Sequence, residues 1–133
     1  MEKLYHSLLC IGAILCVAAC RYGTDAVQPD VLSQDISALI ADSERDVQSQ
    51  RFDSAMEKAL SALDLSRKND YALGEVRALS TVVGIDIMTS RDADAWEKAL
   101  EAESKARSGG FGEELAVNLI SRARLCSYAE ISP

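Results

Sequence analysis

Few side chains in this sequence are suited to covalent or metal chemistry. The only histidine is His6, and Cys126 is the only cysteine after Cys20. An activated nucleophile needs an adjacent base, and a zinc site needs several cysteine or histidine ligands. We therefore predict no catalytic residue, no metal site and no cofactor, and we interpret Cys126 as a small buried hydrophobic residue.

The glycine-rich segment "SGGFGEE", residues 108–114, precedes a helical pattern. Backbone N–H groups at such a place can bind phosphate. No lysine follows, however, and Glu113 and Glu114 in the first turn would repel an anion. We interpret the segment as a loop between helices. Neighbouring carboxylates such as Glu101 and Glu103 do not share a helix face, so we expect solvated faces rather than acid–base pairs.

The first twenty residues contain the motif that most clearly suggests a covalent modification. After the polar start "MEKLYHS" comes "LLCIGAILCVAA", an apolar stretch of twelve residues. It is shorter than the roughly 20 residues that span a bilayer and is typical of a secretory signal. It ends in "VAAC", residues 17–20, which resembles the lipobox of bacterial lipoproteins. That resemblance implies a signal peptide at 1–19, a lipid on Cys20 and a position on a periplasm-facing membrane, inner or outer.

An ordinary cleaved signal peptide is the alternative. Cys10 and Cys16 match the lipobox less well, because Leu9 and Leu15 precede them where a small residue is expected. Residues 20–32 lack periodicity and are predicted to be a lipid-anchored tether, followed by a domain at 33–133. The formal net charge of −7 argues against nucleic acid as a partner, since phosphate contacts need a basic face.

The domain has apolar residues at the i, i+3, i+4 and i+7 spacing of amphipathic helices. Five helices are predicted, at about 33–50, 53–68, 71–89, 94–107 and 112–129. Asp53 and Asp94 are the predicted N-caps, and Gly109-Gly110 should end the fourth helix. Short connections predict antiparallel neighbours. The residues predicted to face the core are Ile36, Leu39, Ile40, Val47, Met56, Ala59, Leu60, Leu63, Leu73, Val76, Leu79, Val83, Ile87, Trp96, Ala99, Leu100, Leu115, Leu119, Ile120 and Ala123.

An internal repeat relates the second and fourth helices. "AMEKALSALDLSR" begins at Ala55, and "AWEKALEAESKAR" begins forty residues later at Ala95. Both contain Ala-x3-Ala-x2-Ala, a stripe of small residues that lets two helices approach closely. Shifting the third helix by forty places Tyr71 on Phe111, so the fifth helix corresponds to the first helix of another hairpin. That helix is either a terminal cap or part of a longer array.

The alanine spacing resembles the second helix of a tetratricopeptide repeat, and Val83-Gly84 followed by Ile87 resembles the first. The resemblance implies an all-α fold of antiparallel helical hairpins stacked as a short solenoid. Similar units occur in lipoproteins and membrane-attached regulators of Bacteroidota, and HEAT-type repeats are a second possibility. The period of forty exceeds the family's 34. Polar residues at Asp42, Ser43 and Asp46 predict that the first helix is a solvent-facing cap.

The expected function is a lipid-anchored module for protein–protein interaction, a scaffold or adaptor that binds a partner's peptide or helix on the concave surface formed by consecutive first helices. The predicted binding residues, all on the third helix, are Arg77, Ser80, Thr81, Gly84 and Met88. One alternative is the truncated N-terminal sensory repeat region of a membrane-associated signal-transduction regulator. A lipoprotein that captures glycans would need more exposed aromatic residues, and Trp96 is predicted to pack.

Overall fold

The computed structural model describes residues 29–131, which form five α-helices joined by short turns. This confirms the predicted all-α fold of antiparallel helical hairpins. The signal peptide and Cys20 lie outside the described residues. The first helix begins at Pro29, where proline is well accepted, so it includes residues assigned to the tether. The helices are α1 (Pro29–Gln48), α2 (Phe52–Lys68), α3 (Ala72–Met88), α4 (Asp92–Gly109) and α5 (Gly112–Ile131).

The five helices form two hairpins and one further helix, and α3 lies at the centre of the stack. The pairs α1–α2 and α3–α4 are the hairpins, and α3 also packs against α2, α1 and α5. The first helices α1, α3 and α5 therefore lie side by side on one surface of the stack. Because successive helices are antiparallel, these three run in the same direction.

The alanine stripes lie buried at the contacts between the helices. All six alanines are fully buried. Ala55 and Ala59 of α2 contact Val82 and Ile85 of α3, and Ser43 of α1 donates a hydrogen bond to the Ala55 carbonyl at 2.7 Å. A methyl side chain allows backbones to approach to the short end of the 8–10 Å range of helix packing. The α2 stripe thus lies between two first helices.

The α4 stripe repeats this arrangement one hairpin later. Ala95 and Ala99 contact Val83 of α3 and Leu125 of α5 in one core cluster. The predicted role of the stripe, close approach both within a hairpin and to the next one, is confirmed in both repeats. The segment "STVVGIDIM" lies within α3 and is helical, as expected.

The turns show that the repeat has a half-period of twenty residues. Each connection has one residue with positive φ, between 52° and 71°. The following N–H donates to the carbonyl five residues earlier, as in Arg51 to Asp46 at 2.9 Å. The structural unit is therefore one helix and one turn. The positive-φ residues are Gln50, Asp70, Ser90 and Gly110.

Asp46 of α1 lies buried where α1 meets α2. Its carboxylate accepts hydrogen bonds from Lys58 Nζ at 2.6 Å, from Ser54 Oγ at 2.6 Å and from the Arg51 guanidinium. These donors, Lys58 first, hold the pKa of Asp46 far below its usual range despite burial. The predicted solvent-facing cap is wrong here, because Asp46 and Ser43 are both buried.

Asp86 occupies the same place in the second hairpin. It is buried and contacts Arg91 at 3.0 Å and Lys98 at 2.9 Å. All three residues are forty positions after Asp46, Arg51 and Lys58. A carboxylate that joins the turn to the second helix is therefore part of the repeat, and its buried charge is matched by two cations.

Several predictions of inward-facing side chains are wrong. Leu60 and Leu100 are equivalent in the repeat, and each is 44% exposed. Both leucines continue the apolar periodicity of a second helix. They lie on its outer side, where no described helix covers them. The N-caps are Arg51 and Arg91 rather than Asp53 and Asp94, which lie in the first turns. The α5 residues Leu119, Ile120 and Ala123 are also exposed, as is Trp96 in part.

We predict that Asp46 makes stability depend on acidity. Its pKa is lower in the folded than in the unfolded chain, so its stabilisation is complete above the unfolded pKa, about 4, and is lost as pH falls below that. The variant Asp46→Asn has no carboxylate at this position, so it does not lose this stabilisation as the pH falls. Urea denaturation at several pH values should therefore show the stability gap between wild type and variant narrowing with acid.

The control is Asp42→Asn, since Asp42 pairs only with the exposed Arg45 and such pairs contribute little. Equal narrowing of the gap in both variants would contradict the role assigned to Asp46.

Candidate binding groove

An open groove of about 580 Å³ runs along the side of the stack formed by the first helices. Its walls come from α1 and α5, and its floor comes from α3. This is the surface on which consecutive first helices were predicted to bind a partner. The lining residues are Ile40, Glu44, Val47, Gln48, Arg77, Ser80, Thr81, Gly84, Ile85, Met88, Glu113, Glu114 and Val117.

All five residues predicted to bind lie in this groove. Their spacing of three, four and seven positions along α3 puts them on one helix face. Met88 is 58% exposed at the end of that face. Gly84 leaves open space, because an added Cβ would meet nothing within 4 Å. The structure thus brings these residues together, while their binding role stays a prediction.

Two polar contacts hold α5 against α3 beside the groove. Arg77 Nε donates to Glu114 Oε1 at 2.9 Å. Burial alone would raise the pKa of Glu114, but the hydrogen bonds from Arg77 and the backbone outweigh it and lower the pKa. Asn118 is fully buried and donates to Ser80 Oγ at 3.0 Å. Sequence reasoning missed both contacts.

The groove offers apolar surface and hydrogen-bond acceptors. Ile40, Val47 and Val117 supply apolar surface. The hydroxyls of Ser80 and Thr81 already donate to carbonyls of their own helix, at 2.9 Å and 3.1 Å. A ligand would therefore find acceptor lone pairs there rather than free donors.

Charge in the groove is mainly negative. Glu44 and Glu113 line it, and neither forms an ion pair with another residue of the described range. The positive charge of Arg77 is matched by Glu114. The groove therefore favours ligands with positive charge or N–H donors.

Ion pairs also tie the second helices to α3, outside the groove. Glu75 of α3 accepts from Arg67 of α2 at 2.9 Å and from Lys105 of α4 at 3.1 Å. Burial raises the pKa of Glu75, but these two cations outweigh it and lower the pKa overall. Arg67 also reaches Glu101 of α4 at 2.7 Å. This network joins neighbouring helices and does not line the groove.

A second cluster joins α4 to α5. Hydrogen bonds from Arg107 and Arg122 lower the pKa of Glu103. The Arg122 guanidinium also lies 5.0 Å from the centre of the Trp96 ring, a cation–π contact. Trp96 therefore packs on one side although it is 37% exposed. Trp96 does not line the groove, to which α4 contributes no residue.

The geometry of the described residues supports neither a metal site nor a membrane-spanning helix. Within residues 29–131, no three His, Cys, Asp or Glu side chains are placed to hold a metal ion. No helix in this range has the length and apolar character needed to cross a membrane. Cys126 is exposed, so its interpretation as a buried residue is wrong. It lies on the face of α5 that no described helix covers.

Comparisons with known proteins identify no relative. No protein-family model matches the chain, no curated protein matches it, and no solved structure matches it. The resemblance to tetratricopeptide repeats therefore stays a prediction from the alanine stripe and the Val83-Gly84 pair.

We predict that Gly84 makes the fold less stable than alanine at this position would, while it leaves space in the groove. Glycine inside a helix is about 0.5–1 kcal/mol less favourable than alanine. Because the added methyl meets open space, Gly84→Ala should raise the free energy of unfolding by that amount. Chemical denaturation of both proteins measures the difference.

Gly74 in the same helix is the control. Its added Cβ would lie 2.7 Å from Ser66 Oγ and closer still to the Tyr71 ring. Gly74→Ala should therefore destabilise the fold. Stabilisation of both variants would show that helix propensity alone, and not groove space, decides the result.

Proposed function

We propose that the chain is a lipid-anchored protein-interaction module whose groove binds a peptide or helix of a partner at a periplasm-facing membrane. One observation supports this most directly. Three parallel first helices form a single groove, and the residues singled out on α3 all line it. Stacked hairpins that present such a surface commonly bind extended or helical segments.

The chemistry of the groove specifies the type of partner. Its apolar residues Val47, Met88 and Val117 match apolar side chains of a ligand, and the carboxylates of Glu44 and Glu113 match basic ones. The best ligand is therefore an amphipathic segment with lysine or arginine beside its apolar face. Nucleic acid is a poor ligand, because the groove and the whole chain, with its net charge of −7, are acidic.

Membrane attachment in this proposal depends on Cys20. The segment "VAAC" ends an apolar stretch of signal-peptide length. A lipid on Cys20 would hold the groove close to one membrane surface, with the residues before Pro29 as a spacer. Each buried CH₂ of an attached acyl chain contributes about 0.8 kcal/mol to membrane binding.

Crosslinking tests the groove. A photo-crosslinking amino acid placed at Met88 should form a protein adduct in cells, because that side chain is at the groove and exposed. Thr81→Arg in the same chain should abolish the adduct, since the new side chain fills the groove and repels basic ligands. The adduct is detected by gel shift and mass spectrometry.

Leu60 is the matched control position, an exposed apolar residue on α2 away from the groove. The same crosslinker there should not yield that adduct. Equal adducts at both positions, or an adduct at Met88 that survives Thr81→Arg, would contradict binding in the groove.

Fractionation tests the anchor. In a bacterial host with a lipoprotein pathway, the wild type should be found in the membrane fraction and take up a labelled fatty acid. Cys20→Ser should lose the label and move to the soluble fraction, because the sulfur that forms the thioether is gone. Cys16→Ser should behave as wild type. Retention of the label in Cys20→Ser would reject lipidation at this residue.

A further inference from the structure

The sides of helices form the whole lining of the groove. Every lining residue belongs to α1, α3 or α5. Inside a helix each backbone N–H is already bonded to the carbonyl four residues earlier, so the walls and floor present only side chains, apart from the helix ends. An extended peptide that adds to a sheet edge binds through backbone hydrogen bonds. The groove does not offer a ligand that mode of binding.

Side-chain donors in the groove are also few. The hydroxyl groups of Ser80 and Thr81 donate within α3, and Arg77 Nε donates to Glu114. An extended ligand would place backbone carbonyls against this surface with few donors to satisfy them, which is unfavourable. A helix pairs its own backbone groups and presents side chains. The hydrogen bonding of the lining therefore favours a helical ligand.

The carboxylates available to a ligand lie on opposite walls of the groove. Glu44 belongs to α1 and Glu113 to α5, and both are exposed. Arg77 is the one cation among the described residues that line the groove, and Glu114 pairs with it. A ligand helix between the walls would meet a carboxylate on each side. Complementary charge then requires basic residues on both borders of its apolar stripe.

These two carboxylates are also offset along the groove. Glu44 stands forty residues before Gly84, at the equivalent position of the repeat. Glu113 adjoins Glu114, whose carboxylate contacts Arg77 at 2.9 Å. From Arg77 to Gly84 is about two turns of α3, or about 11 Å along the helix. We therefore expect the basic residues of the ligand to lie about two turns apart.

The floor of the groove has space for the apolar side chains of such a helix. An added Cβ at Gly84 would meet nothing within 4 Å, and Met88 lies exposed one turn further along α3. Val117 adds exposed apolar surface on the α5 wall. An apolar floor between two acidic walls is complementary to an amphipathic helix with an apolar stripe and basic borders.

Other copies and other parts of this chain are poor occupants of the groove. Residues 20–28 contain one basic residue, Arg21, whereas a helix with two basic borders needs at least two. A second copy would bring a net charge of −7 to a groove that is itself acidic. A basic helix of another protein has the complementary charge.

We propose that the groove binds an α-helix of a partner, not an extended peptide, and that this helix has lysine or arginine on both borders of its apolar stripe, about two turns apart. This inference rests on the proposed function and specifies the ligand of the same groove.

Two synthetic peptides of about 18 residues, long enough to form a helix, are the probes. The helical probe has leucine on one face, lysine on both borders and α-aminoisobutyric acid elsewhere. The extended probe has the same sequence except for two central prolines, which break the helix. Each is titrated into the full chain by calorimetry at about 0.15 M salt. We expect the helical probe to bind about tenfold more tightly or better, because it is preorganised.

Charge reversal of the groove is avoided by removing its carboxylates in pairs. The double variant Glu44→Gln and Glu113→Gln should weaken binding of the helical probe by about tenfold. The matched control is Glu57→Gln with Glu97→Gln, which removes the same charge from exposed positions on α2 and α4 outside the groove. It should leave binding nearly unchanged. A probe with lysine on one border only should respond to one of the two groove substitutions and not to the other.

Several results would overturn the inference while the proposed function stands. One is equal affinity of the helical and extended probes, since the groove would then not select a helix. Another is equal weakening by the groove pair and the control pair, which would mean general attraction to an acidic protein. A third is failure of both probes to bind although the crosslinker at Met88 forms its adduct in cells. If there is neither binding nor an adduct, both proposals are rejected.

Sedimentation of the full chain tests the remaining occupant. A concentration-dependent dimer that Thr81→Arg converts to a monomer would mean that a second copy fills the groove, and would overturn the inference. A monomer that binds the helical probe, and loses that binding in Thr81→Arg, would support it.

Discussion

Close backbone approach at the alanine stripes is the constraint on which the rest of this structure depends. The stripe of α2 contacts α1 and α3, and the stripe of α4 contacts α3 and α5. A larger side chain at these fully buried positions would push apart two interfaces at once, and overpacking of this kind typically costs 1–3 kcal/mol. The stripes therefore fix both the hairpins and the distance between successive first helices. That distance in turn sets the width of the groove.

The sequence was sufficient to predict the elements and the class of fold. Apolar periodicity, the repeated alanines and the glycines at 109 and 110 gave five helices with ends close to those observed. It also put the five residues from Arg77 to Met88 on one face, because helical spacing alone decides which residues share a face. Periodicity does not distinguish an apolar residue that a neighbouring helix covers from one that no helix covers. Leu60, Leu100 and Leu119 were misassigned for this reason.

The burial of certain polar residues was also not predicted, although the sequence contained a signal for it. Asp46 and Asp86 look like solvent-facing residues when each is considered alone. The triplets Asp46, Arg51, Lys58 and Asp86, Arg91, Lys98 repeat at forty residues, as the alanines do, and such repetition of charged residues indicates contact. Asn118 has no such partner in the repeat, because Ala78 and Ala38 stand at the equivalent positions. Its burial follows only from the packing of α5 on α3.

The residues that hold the fold and those that line the groove are largely different. The alanines and the buried aspartates lie where first helices meet second helices, whereas Ser80, Thr81, Gly84 and Met88 face the groove. Substitutions in the groove can therefore alter ligand preference while the hairpins stay intact. Arg77, Glu114 and Ser80 are exceptions, because they line the groove and also join α5 to α3. A ligand that competes for the Arg77–Glu114 pair would act on the attachment of α5, which the hydrogen bond from Asn118 to Ser80 and the packing of Leu125 also maintain.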